Sequence, residues 1–171
     1  LLGHPDGFWR DTAQRLLVDS QDVDVADSLR GILRQGSALA SVHALWTLHG
    51  RGELDPASAS WALEHFSVEM VSNAIRASED LLPGTDAELS RAILKRCQGA
   101  NRFLRRQALL SLLAAGDELS LAGAVDLFFG DLQDGVMRSA LPTVPPAHLA
   151  TLLKLLQSDS RLDLQEQSQR K

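Results

Sequence analysis

The chain has 171 residues, of which 44% are apolar and 23% charged, with a formal net charge of −5 and a sequence pI near 5.5. That composition belongs to a globular domain with a continuous core and excludes a chain disordered throughout. No run approaches the roughly 20 uninterrupted apolar residues that a membrane-spanning helix requires, and Cys97, the single cysteine, allows neither an intrachain disulfide nor a Cys-x-x-Cys-His haem attachment.

His4-Pro5-Asp6-Gly7 reads as a turn, and the first helix is expected over 8–19, with Ala13, Leu16 and Leu17 on its inner stripe. Trp9, Arg10 and Asp11 at its start suggest a structural knot in which the arginine pairs with a carboxylate and the indole covers the helix seam. Asp24 is a candidate N-cap for a helix through Leu29, Ile32 and Leu33 that Gly36 ends. Ser37 caps the next helix, 38–49, whose apolar positions are Leu39, Val42, Leu45, Trp46 and Leu48, and Gly50 and Gly52 close it. Asp55-Pro56 places a capping carboxylate before a proline at the first helical position, and Trp61, Leu63 and Phe66 follow. A helix over 68–82 stops at Pro83-Gly84, and Thr85-Asp86-Ala87-Glu88 resembles a capping box for a helix to Cys97. Gly99 then separates it from a helix over 102–115. Further helices are expected over 119–129, 136–141 and 148–156, with Pro142 and Pro145-Pro146 between the last two. Residues 1–157 read as one helical domain and 158–171 as a polar, frayed tail. No segment alternates with period two, so the expected fold class is all-α.

One phrase recurs. Ala13, Ala44, Ala74, Ala108 and Ala140 each sit at the centre of an amphipathic helix, at separations of 31, 30, 34 and 32 residues, with a second helical run between anchors. That is the length of a helix-turn-helix unit and predicts an α-solenoid of about five repeats. A small anchor lets neighbouring helices approach closely while apolar residues three and four positions away fill the seam. Trp9, Ala13, His43, Ala44, Trp46, Ala74, Ala108 and Ala140 are therefore expected to form the structural seam. The chain starts inside a repeat without an initiating Met or a polar capping helix, and it reads as a piece of a longer protein.

Charge is unevenly spread. Residues 86–115 carry six basic and two acidic side chains, whereas 1–85 carry six and twelve and 116–171 five and eight. Arg91, Lys95, Arg96, Arg102, Arg105 and Arg106 make a patch open to two readings, a surface for an anionic partner or a solvated face paired with the acidic flanks. Neutralising Arg102, Arg105 and Arg106 together is expected to leave folding intact. A nucleic-acid partner is not expected, because such binders show a larger basic stripe and a high pI. Among His4, His43, His49, His65 and His148, none has metal-motif spacing, and no metal or other cofactor is expected. His43 and His49 lie six residues apart, about 600° around a helix, and face different ways. His43 is expected to be a buried imidazole bonded to a carbonyl or to Asp11, and Cys97 a small buried hydrophobe beside Lys95 and Arg96. No phosphate-binding Gly-rich loop and no Gly-x-Ser-x-Gly elbow occurs.

The phrases FWRDTAQRLL at 8–17, HALWTL at 43–48 with Gly50, Gly52, Leu54 and Asp55, and the helix EMVSNAIRA resemble the HEAT-repeat segment of bacterial membrane-bound dehydrogenase-like proteins, also called PVC-type haem-binding domain proteins. The resemblance covers about residues 4–82. It implies a place between a quinoprotein-like β-propeller and a c-type cytochrome domain in a periplasmic or otherwise exported protein. Neither of those parts is encoded in these 171 residues, so redox chemistry would belong to the neighbours.

The expected function is a non-catalytic scaffold or spacer that contacts neighbouring domains of the same polypeptide or a protein partner, without inserting into a membrane itself. The alternative is an enzyme on a HEAT fold. An alkylpurine DNA glycosylase would use Trp46, Trp61 and the basic patch, and a bilin lyase would need a ligand-sized cavity.

Overall fold

The computed structural model describes residues 1–20, 25–83 and 87–162. The protein is all-helical. Helix accounts for 75% of the described residues, and no strand occurs among them. The chain divides into two compact units, Leu1–Leu81 and Leu82–Lys171.

The first unit holds α1 (Gly7–Asp19), α2 (Val25–Gln35), α3 (Ala38–Gly50), α4 (Pro56–Leu63) and α5 (Val68–Ala77). Helix α3 is central: it packs on α1, α2 and α5, and α4 packs on α5. Ala44, Leu45 and Leu48 of α3 and Met70, Val71, Ala74 and Ile75 of α5 are buried, as small-residue anchors flanked by larger apolar side chains require. The starts of these helices are local chemistry. Asp6, Ser37, Asp55 and Ser67 each accept a backbone N–H of the first turn, and Pro56 follows Asp55 where its missing N–H costs nothing. Helix α1 differs from α3 and α5 in having no buried residue.

The second unit holds α6 (Glu88–Cys97), α7 (Arg102–Ala115), α8 (Glu118–Gly130), α9 (Gly135–Ala140) and α10 (Pro146–Ser158), with a 3-10 turn over Leu141–Thr143. Helices α7 and α8 form its centre, with Leu104, Ala108, Leu109 and Leu112 buried on one and Leu121, Ala124 and Val125 on the other. Gly123 is buried in α8 where Leu94 of α6 leaves no room for a Cβ. Gly116 ends α7 in the left-handed conformation, φ 74°, with its N–H on the Leu112 carbonyl.

The elements depart from expectation in few places. The helix expected over 68–82 ends at Ala77; buried Ser78 still bonds the Ala74 carbonyl through its N–H (3.1 Å) and its Oγ (2.7 Å), and the chain then turns. The helix after Asp55 ends at Leu63, before Phe66, and α10 starts two residues earlier than expected, at Pro146. Asp24, the Thr85-Asp86 part of the expected capping box and the tail beyond 162 lie outside the described residues.

Candidate functional site

In the first unit polar side chains bridge successive anchor helices. Arg10 of α1 donates through Nε to His43 Nε2 of α3 at 3.2 Å, and His43 Nδ1 lies 2.7 Å from Gln14 Oε1 of α1. Because Nε2 accepts from Arg10, the ring proton sits on Nδ1 and is donated to Gln14. Trp46 Nε1 of α3 donates to Asn73 Oδ1 of α5 at 2.8 Å, and His49 Nε2 meets Asp80 Oδ2, just past α5, at 3.0 Å. Arg51, the C-cap of α3, donates to the carbonyls of Leu17 (2.7 Å) and Ser20 (2.6 Å) and pairs with Glu53.

These partners correct two expectations. His43 is half-buried, and its bonds run to the Arg10 guanidinium and the side-chain carbonyl of Gln14 rather than to a backbone carbonyl or Asp11. Among the described residues Arg10 pairs with no carboxylate: its Nη1 donates to the carbonyls of His4 (2.7 Å) and Pro5 (2.8 Å), which fixes the N-terminal turn. Trp9 remains 46% exposed, edge-on to Phe8 and His4, and so does not cover the seam. Of the other expected seam residues, Ala44, Ala74, Ala108 and Ala140 are buried, whereas Ala13 and Trp46 are half-buried.

Two apolar surfaces of this unit face solvent. On α1, Phe8 is 66% and Leu16 59% exposed. Beside the C-terminal ends of α2 and α4 lies a cleft of about 580 Å³ lined by Arg34, Gln35, Trp61, Glu64, His65 and Phe66. The Arg34 guanidinium carbon stands 3.1 Å from the Trp61 ring centre, a cation–π contact, and Phe66, 84% exposed, stacks on His65 at 4.3 Å. Sequence reasoning placed Trp61 and Phe66 within a helix and missed the cleft. A signal existed: Arg34 precedes Trp61 by 27 residues, the same offset that joins Trp46 to Asn73.

In the second unit two of the six residues of the basic run, Arg105 and Arg106, form ion pairs with carboxylates. Arg105 forms an ion pair with Asp131, and Arg106 bonds Asp134, the residue that caps α9, with Nε at 2.8 Å and Nη2 at 2.6 Å. Burial opposes ionisation of Asp134, but Arg106 and the α9 backbone N–H groups outweigh it and hold the carboxyl below the usual carboxylate range. Arg91, Lys95 and Arg102 are exposed, and Arg96 is partly covered. Cys97 is buried, and burial pushes its thiol up to about 11, so it packs as a small hydrophobe. It borders a smaller cavity of about 250 Å³ with Leu94, Arg105 and Asp126. Among the described residues no group of three or more His, Cys, Asp or Glu side chains could hold a metal ion, and no helix is long and apolar enough to cross a membrane.

Comparison with family models, curated proteins and solved structures finds no match for this chain.

Proposed function

We propose that the chain is a non-catalytic helical-repeat scaffold of HEAT type, a piece of an α-solenoid that holds neighbouring domains or a protein partner. The observation that carries this reading is the spacing of the side-chain bridges. Arg10–His43, Gln14–His43, Trp46–Asn73 and His49–Asp80 in the first unit span 33, 29, 27 and 31 residues, and Ser90–Ser120 and Arg106–Asp134 in the second span 30 and 28. These separations, 27 to 33 residues, lie at or just below the 30-to-34-residue sequence period, as in stacked repeats that touch only their neighbours. The exposed α1 face and the aromatic cleft give such a scaffold surfaces for contact.

On the sequence resemblance, the parent is an exported dehydrogenase-like protein in which this segment spaces a β-propeller from a c-type cytochrome domain. Reading the native gene on both sides of the segment tests this, together with haem staining of the full-length product after denaturing electrophoresis. A propeller upstream, a Cys-x-x-Cys-His downstream and covalent haem are expected. A reading frame with neither part, and a product without haem, would overturn the redox context.

A further inference from the structure

Helix α1 is fastened at two places that differ in chemistry. At its C-terminal end Arg51 holds the carbonyls of Leu17 and Ser20, and Val18 packs on Gly50. Over its N-terminal half no residue is buried, and the polar attachment to α3 is the Arg10–His43–Gln14 chain. That chain works only with a neutral imidazole. Nε2 must offer its lone pair to Arg10 while Nδ1–H serves Gln14, and a second ring proton would set N–H against N–H and imidazolium against guanidinium.

We propose that His43 is an acid-operated latch, which holds the N-terminal half of α1 on α3 while neutral and releases it when protonated. The inference does not rest on the repeat or redox reading. The charges around the ring favour it. From α1, Arg10 opposes a second proton and Asp11 favours one. Burial weighs most heavily against the charged form, Arg10 adds to it, and together they outweigh Asp11, so the imidazole is held below its ordinary 6.5. Several other charged groups on neighbouring elements are engaged elsewhere, while Arg15 and Asp19 of α1 and Glu69 and Arg76 of α5 are exposed. Arg30 of α2 is held by Asp27 and Asp55, Arg34 of α2 stacks on Trp61, Arg51 pairs with Glu53, and His49 bonds Asp80 beside α5.

The sign follows from linkage. A base whose folded pKa is depressed gives attachment that is complete above the free imidazole value near 6.5 and is lost as pH falls from there towards the folded pKa. One proton changes the opening equilibrium up to about tenfold for each pH unit within that window.

The test is hydrogen exchange of the full chain between pH 7.5 and 5, corrected for intrinsic exchange rates and read separately for residues 10–14, 17–20 and 70–77. Expected is a loss of protection in 10–14 that exceeds any change in 17–20 and is absent from 70–77. His43→Gln keeps an acceptor for Arg10 and a donor for Gln14 without titrating, and should abolish the acid-dependent loss. Should that variant fold poorly, Arg10→Gln serves instead, with weaker protection at every pH and a smaller acid step. Protection of 10–14 that is flat with pH in the native protein, or an acid step unchanged in the folded variant, would overturn the latch.

Discussion

Ala44 and Ala74 are wholly enclosed where α3 meets α1, α2 and α5, and the closeness of those helices depends on their size. Ala44→Leu or Ala74→Leu adds three heavy atoms to a filled seam and should lower the free energy of unfolding by about 1–3 kcal/mol. Ala114→Leu, on the exposed face of α7, should stay within about 0.5 kcal/mol of the native protein. Urea unfolding of the three variants measures this, and equal losses at all three would mean that the seam tolerates bulk. The positions of these alanines were legible because a 30-to-34-residue period marks which residues face inward. Whether anything covers that inward face was not legible. Trp9 and Ala13 keep the pattern, yet no residue of α1 is fully buried. Polar partners were also misassigned at His43 and Arg10, because composition favours carboxylates for arginine while the actual partners lie 33 residues away or on the backbone.

At the scale of elements, starts were easier to read than ends. Ser37 and Asp55 cap the helices they were expected to cap, since an N-cap needs only its own side chain and an N–H two or three residues on. The end of α5 at Ala77 comes six residues before Pro83, with no glycine or proline at the stop to mark it. Glycine ends divide in the same way. Gly99 and Gly116 both have positive φ, but a Cβ at Gly99 would meet open space, whereas one at Gly116 would collide with the His148 ring from α10. Gly99→Ala should therefore cost the left-handed penalty alone, about 1–2 kcal/mol. Gly116→Ala should cost more and should loosen α10, which already packs on α8 with only Leu152 buried. Thermal melts of the two variants rank them, with proteolysis near residue 150 reporting α10. A larger loss at Gly99 would contradict the placement of His148.

Across the whole molecule the charge pattern in the sequence poses a choice between a surface awaiting an anionic partner and a region neutralised from within. The ion pairs favour the second for Arg105 and Arg106, whose carboxylates Asp131 and Asp134 come from the acidic segment that follows. The neutralisation expected from sequence to be silent should therefore carry a cost. Removing Arg106 strips a charge partner from Asp134, whose side chain is only 8% exposed and which also caps α9. Removing Arg105 does the same to Asp131. Arg102 is exposed, with no ion pair among the described residues. Replacing Arg105 and Arg106 by Gln should therefore lower the melting temperature at pH 7, whereas Arg102→Gln should leave it within a degree or so, as ordinary surface changes do. The deficit should shrink as pH falls through the range in which Asp134 takes up its proton, because a neutral carboxyl no longer needs the guanidinium. Scanning calorimetry of the variants at pH 7 and pH 3 decides it. A double variant as stable as the native chain at pH 7 would return these arginines to solvent and reopen the surface to an anionic partner.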